Sequence, residues 1–215
     1  MTKICCAAFD VDGTLLDSQE TNYAAAADVI RELTGRELDR DFFRTIFGLS
    51  GYDTGRLVYP QDPAYYFERA AQKESEYADR LRLFADVVSM LHRLKAAGLV
   101  LAVVTGRTRA EYRAGFTPFG LDALFDWIIC ADDTEKPKPD RAPMDLLLKK
   151  TGLKADEVVY LGDTENDSRS ARAAGIPFFL AGWGTQDPQI PAHKLMASPQ
   201  EFAAFVLEGT ENETD

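Results

Sequence analysis

Residues 7–18 read AAFDVDGTLLDS: an apolar run breaks abruptly into Asp10 and Asp12, and a glycine follows at Gly13. The run fits a short strand buried on both faces, as in a parallel sheet covered by helices. KICCAAFD (3–10) is therefore read as the first strand, and similar runs recur at 99–105, 127–131, 157–163 and 176–182. Helical patterns at 87–97, 109–119, 143–151 and 167–174 lie between them, each closed by a glycine (Gly98, Gly120, Gly152, Gly175). This alternation predicts an α/β fold with a doubly wound, Rossmann-like parallel sheet.

The first crossover breaks the rhythm. Residues 16–84 separate the first two strands, far more than a crossover needs, and they carry helical patterns at 22–34, 41–47 and 64–81. An inserted all-helical cap over 16–84 is predicted, on a discontinuous core of 1–15 and 85–208. The tail 209–215, GTENETD, is expected to be disordered.

Composition narrows the function. With 46% hydrophobic and 27% charged residues the chain reads as an ordinary globular protein. Its 35 acidic against 24 basic residues, a formal charge of -11, disfavour a nucleic-acid partner, which needs a basic face. Cys5, Cys6 and Cys130 suggest no disulfide framework and no metal pair, so they are read as small core residues in a reducing compartment. No apolar leader or membrane-length run is present, and a cytoplasmic location with no membrane partner is expected.

Polar residues gather where the strands end: Asp10 with Asp12, Thr105 with Gly106, Asp132 with Asp133, and Asp163 with Asp167. In open α/β sheets that edge binds ligands. Asp10 and Asp12, two positions apart, project to one side. Carboxylates about 4 Å apart repel by roughly 4 kcal/mol at an effective dielectric near 20. Mg²⁺, which takes hard oxygen ligands, would relieve this; a simple turn at Asp12-Gly13 is the alternative. Thr105 and the Gly106 N–H could hold a phosphate oxygen or merely cap the next helix. In EKPKPDRAP (135–143), prolines keep Lys136 and Lys138 out of a helix, leaving either a fixed charge for phosphate or a solvated loop. Asp167 has capping-box spacing from Thr164, whereas Asp163 has no such structural role.

Taken in order, DVDGT (10–14), VVTG (103–106), KPD (138–140) and GDTEND (162–167) resemble the haloacid dehalogenase-like hydrolase superfamily, and most closely its phosphoglycolate phosphatase and pyrophosphatase branch with a helical cap. The resemblance implies a Mg²⁺-dependent phosphatase acting on a small phosphorylated metabolite such as phosphoglycolate. By it, Asp10 is the nucleophile that becomes an aspartyl-phosphate, and Asp12 is the general acid and base. Asp10, the Asp12 backbone carbonyl and Asp163 would hold Mg²⁺, with Asp167 nearby, while Thr105, Gly106 and Lys138 would bind the phosphoryl oxygens.

The same resemblance prefers Lys138 to Lys136, because Pro143 and Gly152 stand at the expected distances from it; Arg141 stands where a further proline is usual. It also makes FGLSGYDTGRL (47–57), which reads as a loop, the substrate-facing cap segment. Arg44, Ser50, Gly51 and Arg56 are then the specificity candidates, either arginine being able to bind a substrate carboxylate or second phosphate. Sugar phosphomutases of similar fold usually carry a histidine where this chain has Asn22. A pyrophosphatase, a nucleotide or sugar phosphatase, a phosphomutase, a receiver-like domain and a catalytically silent binder are the alternatives. A monomer or homodimer is expected.

Overall fold

The structure, a computed structural model, describes residues 3–211. In chain order its strands are β1 (Cys6–Phe9), β2 (Leu16–Asp17), β3 (Arg82–Leu83), β4 (Val100–Val104), β5 (Trp127–Ile129), β6 (Val158–Gly162), β7 (Phe178–Ala181) and β8 (Lys194–Met196). The helices are α1 (Gln19–Thr34), α2 (Arg40–Ile46), α3 (Gly51–Val58), α4 (Pro63–Glu76), α5 (Val87–Ala96), α6 (Arg109–Gly115), α7 (Ala142–Thr151), α8 (Glu165–Ala174) and α9 (Pro199–Glu211).

Six strands form one sheet in the order β5-β4-β1-β6-β7-β8, all parallel. Alternation along each strand feeds two cores. Ala7, Phe9, Leu101, Val103 and Leu161 face α5, α6 and α9, whereas Cys6, Ala8, Ala102, Val104 and Tyr160 face α7 and α8. Phe9 meets Phe125 and Phe202 edge-on, with ring centroids 6.4 and 5.9 Å away. Full burial of such a ring contributes about 1.5–3 kcal/mol. Cys6 and Cys130 are buried free thiols in these cores.

The helices between β2 and β3 have their own apolar cluster, built on Val29, Leu38, Phe43, Ile46 and Tyr66. The two chain connections to this helical layer pair antiparallel, Leu16 opposite Leu83 and Asp17 opposite Arg82. Residues 47–57 do not form the expected loop, because Gly51–Val58 is helical. Ser50 caps that helix, accepting from the Asp53 N–H at 3.1 Å. The glycines that suggested a loop instead let α3 lie close on α4: a Cβ at Gly55 would crowd the Pro63 carbonyl. Strand β8 was also not foreseen, since its three residues are mostly exposed. Helix α9 runs to Glu211, into the stretch expected to be disordered; the rest of that tail lies outside the described residues. No helix among the described residues is long and apolar enough to cross a membrane.

The loop after β7 packs directly on the turn after β1. A Cβ at buried Gly184 would fall inside the Gly13 carbonyl, and one at Gly13, whose φ is +71°, would fall inside the Asp163 carboxylate. The Gly184→Ala protein should therefore lose about 1–3 kcal/mol through overpacking. In a thermal melt this reads as a midpoint lower by roughly 2–10 °C; an unchanged midpoint would refute the tight contact.

Candidate active site

Asp10, Thr105 and Asp163 lie one residue beyond the carboxyl ends of β1, β4 and β6, and all three are buried. The ladder continues under two of them, since Asp10 N–H donates to the Leu161 carbonyl at 2.9 Å and Thr105 N–H to the Ile129 carbonyl at 3.0 Å. Lys138 comes from the loop after β5 and is 5% exposed, whereas Lys136 is exposed on the same loop. The Lys138–Pro139 peptide is cis.

The Lys138 ammonium is enclosed by polar partners. Its Nζ lies 2.6 Å from Asp167 Oδ1, 3.0 Å from the Tyr160 hydroxyl and 3.0 Å from Asp10 Oδ1. The contact with Asp10 is an ion pair without hydrogen-bond alignment, so Asp10 Oδ1 remains a buried acceptor with no hydrogen bond. Asp167 divides its two oxygens. Oδ2 accepts from the Thr164 N–H and hydroxyl, closing the capping box of α8, while Oδ1 takes Lys138 and the Tyr160 hydroxyl. Asp163 is much less well satisfied, its Oδ1 accepting only a long 3.4 Å bond from the Thr14 hydroxyl.

One oxygen each from Asp10, Asp163 and Asp167 fall within 4.8 Å of one another. Burial drives the Asp10 carboxyl up despite Lys138, and drives Asp163 well up with Asp167 and Asp10 adding to it. Asp167 also suffers burial, but Lys138 outweighs this and holds its carboxyl low. Lys138 itself is raised, because the two aspartates overcome its own desolvation. One ammonium thus faces three buried carboxylates. The hard oxygen donors and the unbonded Asp10 oxygen fit a Mg²⁺ ion.

The Asp12 side chain is not among those three acids, in keeping with an expectation that gave the metal only its backbone carbonyl. Arg107 holds it in a bidentate pair, Nε to Oδ2 at 2.6 Å and Nη2 to Oδ1 at 2.7 Å, and Asn22 donates to Oδ1 at 3.3 Å. Burial opposes ionisation there, yet Arg107 keeps the carboxyl below the usual range. The repulsion expected between Asp10 and Asp12 is relieved by two separate cations, Lys138 and Arg107.

Asp10, Asp12 and Gly106 line a cavity of about 90 Å³ closed on its far side by α1, α2 and α4. Of the cap candidates only Gly51 lines it. Ser50 caps α3; Arg56 pairs with Asp53 at 3.5 Å and lies over Tyr52 in solvent. Arg44 pairs with Asp41 and reaches Gln186 at 2.8 Å, on a separate groove beside Asp163. Asp132 and Asp133 bind the Arg109 backbone and guanidinium instead of joining the site.

Arg107, Tyr160 and Glu74 were missed in the sequence. Arg107 directly follows Thr105-Gly106, so its adjacency was a usable signal; Tyr160 reads only as a strand residue. Glu74 lies on α4 with its carboxylate 3.7 Å from Arg107 Nη1. Burial pushes its carboxyl up to about 7, against the pull of Arg107.

The family model described as haloacid dehalogenase-like hydrolase matches residues 7–181. The chain is 27% identical over 183 residues to the pyrophosphatase PpaX of Bacillus velezensis, covering 84% of each chain. It is 30% identical over 188 residues to a phosphoglycolate phosphatase of Thiobacillus denitrificans, covering 81% of this chain and 82% of that one. Among solved structures, CbbY from Rhodobacter sphaeroides in complex with phosphate superposes with a TM-score of 0.81 at 24% identity, over 93% of this chain and 96% of that one.

The two loop lysines differ sharply in setting. Lys138→Met should cost about 3–5 kcal/mol in urea unfolding, since it leaves buried carboxylates unpaired. Lys136→Met should stay within about 0.5 kcal/mol of the parent. Equal effects would contradict the assignment of the buried ammonium to Lys138.

Proposed function

The chain belongs to the haloacid dehalogenase-like hydrolase family, and from that premise we propose that it is a Mg²⁺-dependent phosphatase of small phosphomonoesters working through an aspartyl-phosphate on Asp10. The observation that carries this reading is the buried grouping of Asp10, Asp163 and Asp167 around Lys138, with Asp12 held apart on the same cavity. The names of the relatives make phosphoglycolate and pyrophosphate the reference substrates. Three free thiols support a cytoplasmic setting.

An Asp10 oxygen attacks phosphorus as the bond to the leaving oxygen breaks, and Asp12, ionised at rest beside Arg107, relays a proton from the monoanionic phosphoryl group to that oxygen. Asp12, again a carboxylate, takes a proton from a water whose oxygen attacks the same phosphorus; the bond to Asp10 breaks and phosphate leaves. This divides one displacement into two. Lys138, Thr105 and the Gly106 N–H stabilise charge on the phosphoryl oxygens. Asp10 and Asp163 would hold Mg²⁺, while Asp167 chiefly orients Lys138. When bound, the ion would supply positive charge against the phosphoryl group. The helical layer over the cavity excludes water from the reacting atoms.

Asp10→Asn should lower Mg²⁺-dependent phosphate release from p-nitrophenyl phosphate at least ~10³-fold, and a chelator should abolish the wild-type rate until Mg²⁺ is restored. Turnover that survives the substitution would sink the mechanism.

Arg107 is a positioning residue in this scheme, fixing Asp12 and its charge. In Arg107→Met the Asp12 carboxyl loses the partner that lowers it, so its pKa rises. Where hydrolysis of the aspartyl-phosphate limits turnover, Asp10 is esterified and Asp12, as the base for water, sets the acidic limb of the kcat profile, which should then move about 1–3 pH units upward. A limb that stays in place while kcat falls would mean Arg107 serves packing alone.

A further inference from the structure

The cavity above Asp10 has two chemically different ends. One end is floored by Asp10, behind which Lys138 Nζ lies 3.0 Å from Oδ1. The far end is walled by Ala25, Ala26, Phe47 and Tyr66, and carries the carboxylates of Glu74 and Glu111. Among the described residues, Arg107 is the one cationic side chain lining the cavity, and it is already committed. Its Nε and Nη2 hold Asp12, while Nη1 lies 3.7 Å from Glu74 and 3.5 Å from the Glu111 carbonyl.

Glu111 uses one oxygen on Thr108 in the capping box of α6, and its other oxygen faces Gly51 of the helical layer. The Glu74 carboxylate accepts no hydrogen bond among the described residues. Burial raises this carboxyl even with Arg107 Nη1 3.7 Å away, a cation it shares with Asp12. Arg44 and Arg56, the two arginines that could have bound an anionic leaving group, do not line this cavity.

Resting on the phosphatase reading above, we propose that the leaving group is a small aliphatic alcohol without an anionic group, carrying a hydroxyl or ammonium that donates to Glu74. The small cavity, about 90 Å³, suits a short alcohol. The leaving groups of phosphoglycolate and pyrophosphate both carry negative charge, and this end of the cavity opposes them. With Glu74 ionised, at a pH of about 8 or above, a like charge about 5 Å from its carboxylate, at an effective dielectric near 20, weakens binding by roughly 100-fold. A donor or cation at the same point gains a charge-assisted hydrogen bond instead.

The test uses the full chain with Mg²⁺ and three esters of nearly equal size: phosphoethanolamine, 2-hydroxyethyl phosphate and phosphoglycolate, with pyrophosphate and p-nitrophenyl phosphate alongside. Both non-anionic esters should exceed phosphoglycolate and pyrophosphate at least ~10-fold in kcat/KM. Glu74→Gln should reduce the preference for phosphoethanolamine over phosphoglycolate by ~10-fold or more. Turnover of p-nitrophenyl phosphate with phosphoglycolate or pyrophosphate at or above the non-anionic esters overturns the proposal and leaves the phosphatase reading standing. An unchanged preference in Glu74→Gln overturns it as well. No turnover of any compound, the aryl ester included, defeats the phosphatase reading and the proposal with it.

Discussion

The Lys138 ammonium, buried where β1, β4 and β6 end, is the constraint around which the site is arranged. A buried lysine would ordinarily shed its proton, because desolvation penalises the charged form. Asp10 and Asp167 reverse that preference and keep it a cation. The same arrangement leaves negative charge in excess, and Asp10 and Asp163 bear it as raised carboxyls. Replacing such a cluster with apolar residues would often cost little stability. Its justification, on the proposed function, lies in chemistry: the ammonium for an anion, Asp10 as the nucleophile and oxygen donors for a hard cation would share one corner.

Asp167 shows how local folding and the site use one side chain. Its Oδ2 closes the capping box that starts α8, and its Oδ1 anchors Lys138. The sequence permitted either reading, a cap or a site residue, and the two oxygens allow both. Gly13 carries a comparable double demand. Its positive φ makes the turn after β1, and its missing Cβ lets the Asp163 carboxylate approach.

Much of the fold was legible because apolar runs and glycine stops repeat with parallel-sheet rhythm, and these depend on local pattern alone. Asp10 and Asp163 stood out because each sits at a strand end, whereas the proline-bound loop left Lys136 and Lys138 open and only the family resemblance preferred Lys138. Arg107 was harder to read: its place directly after Thr105-Gly106 marks it as near the site, but nothing local shows that it folds back 95 positions onto Asp12. Helix α3 escaped notice for a related reason: Gly51 and Gly55 weaken helix propensity, while the close contact with α4 that rewards them is tertiary. Tyr160 looked like core because most of it is core, and only its hydroxyl reaches Lys138 and Asp167.

Two cations at one strand edge thus hold different carboxylates of the DxD pair, Lys138 on Asp10 and Arg107 on Asp12, and geometry keeps them from interchanging. Lys138 is a compact charge with three donors, suited to oxygens that gather around a point. Arg107 is a planar fork that matches one carboxylate side-on, and Asp12 occupies that fork. An arginine so engaged has little left to offer a substrate anion, and its remaining nitrogen already faces Glu74. Meanwhile Arg44 ties the helical layer to Gln186 on the far side of Asp163, so it serves the contact between layers and not the cavity. Positive charge is therefore concentrated where the phosphoryl group must sit. Among the described residues it is already engaged at the end beside Glu74, and the proposed preference for a leaving group without negative charge rests on this separation.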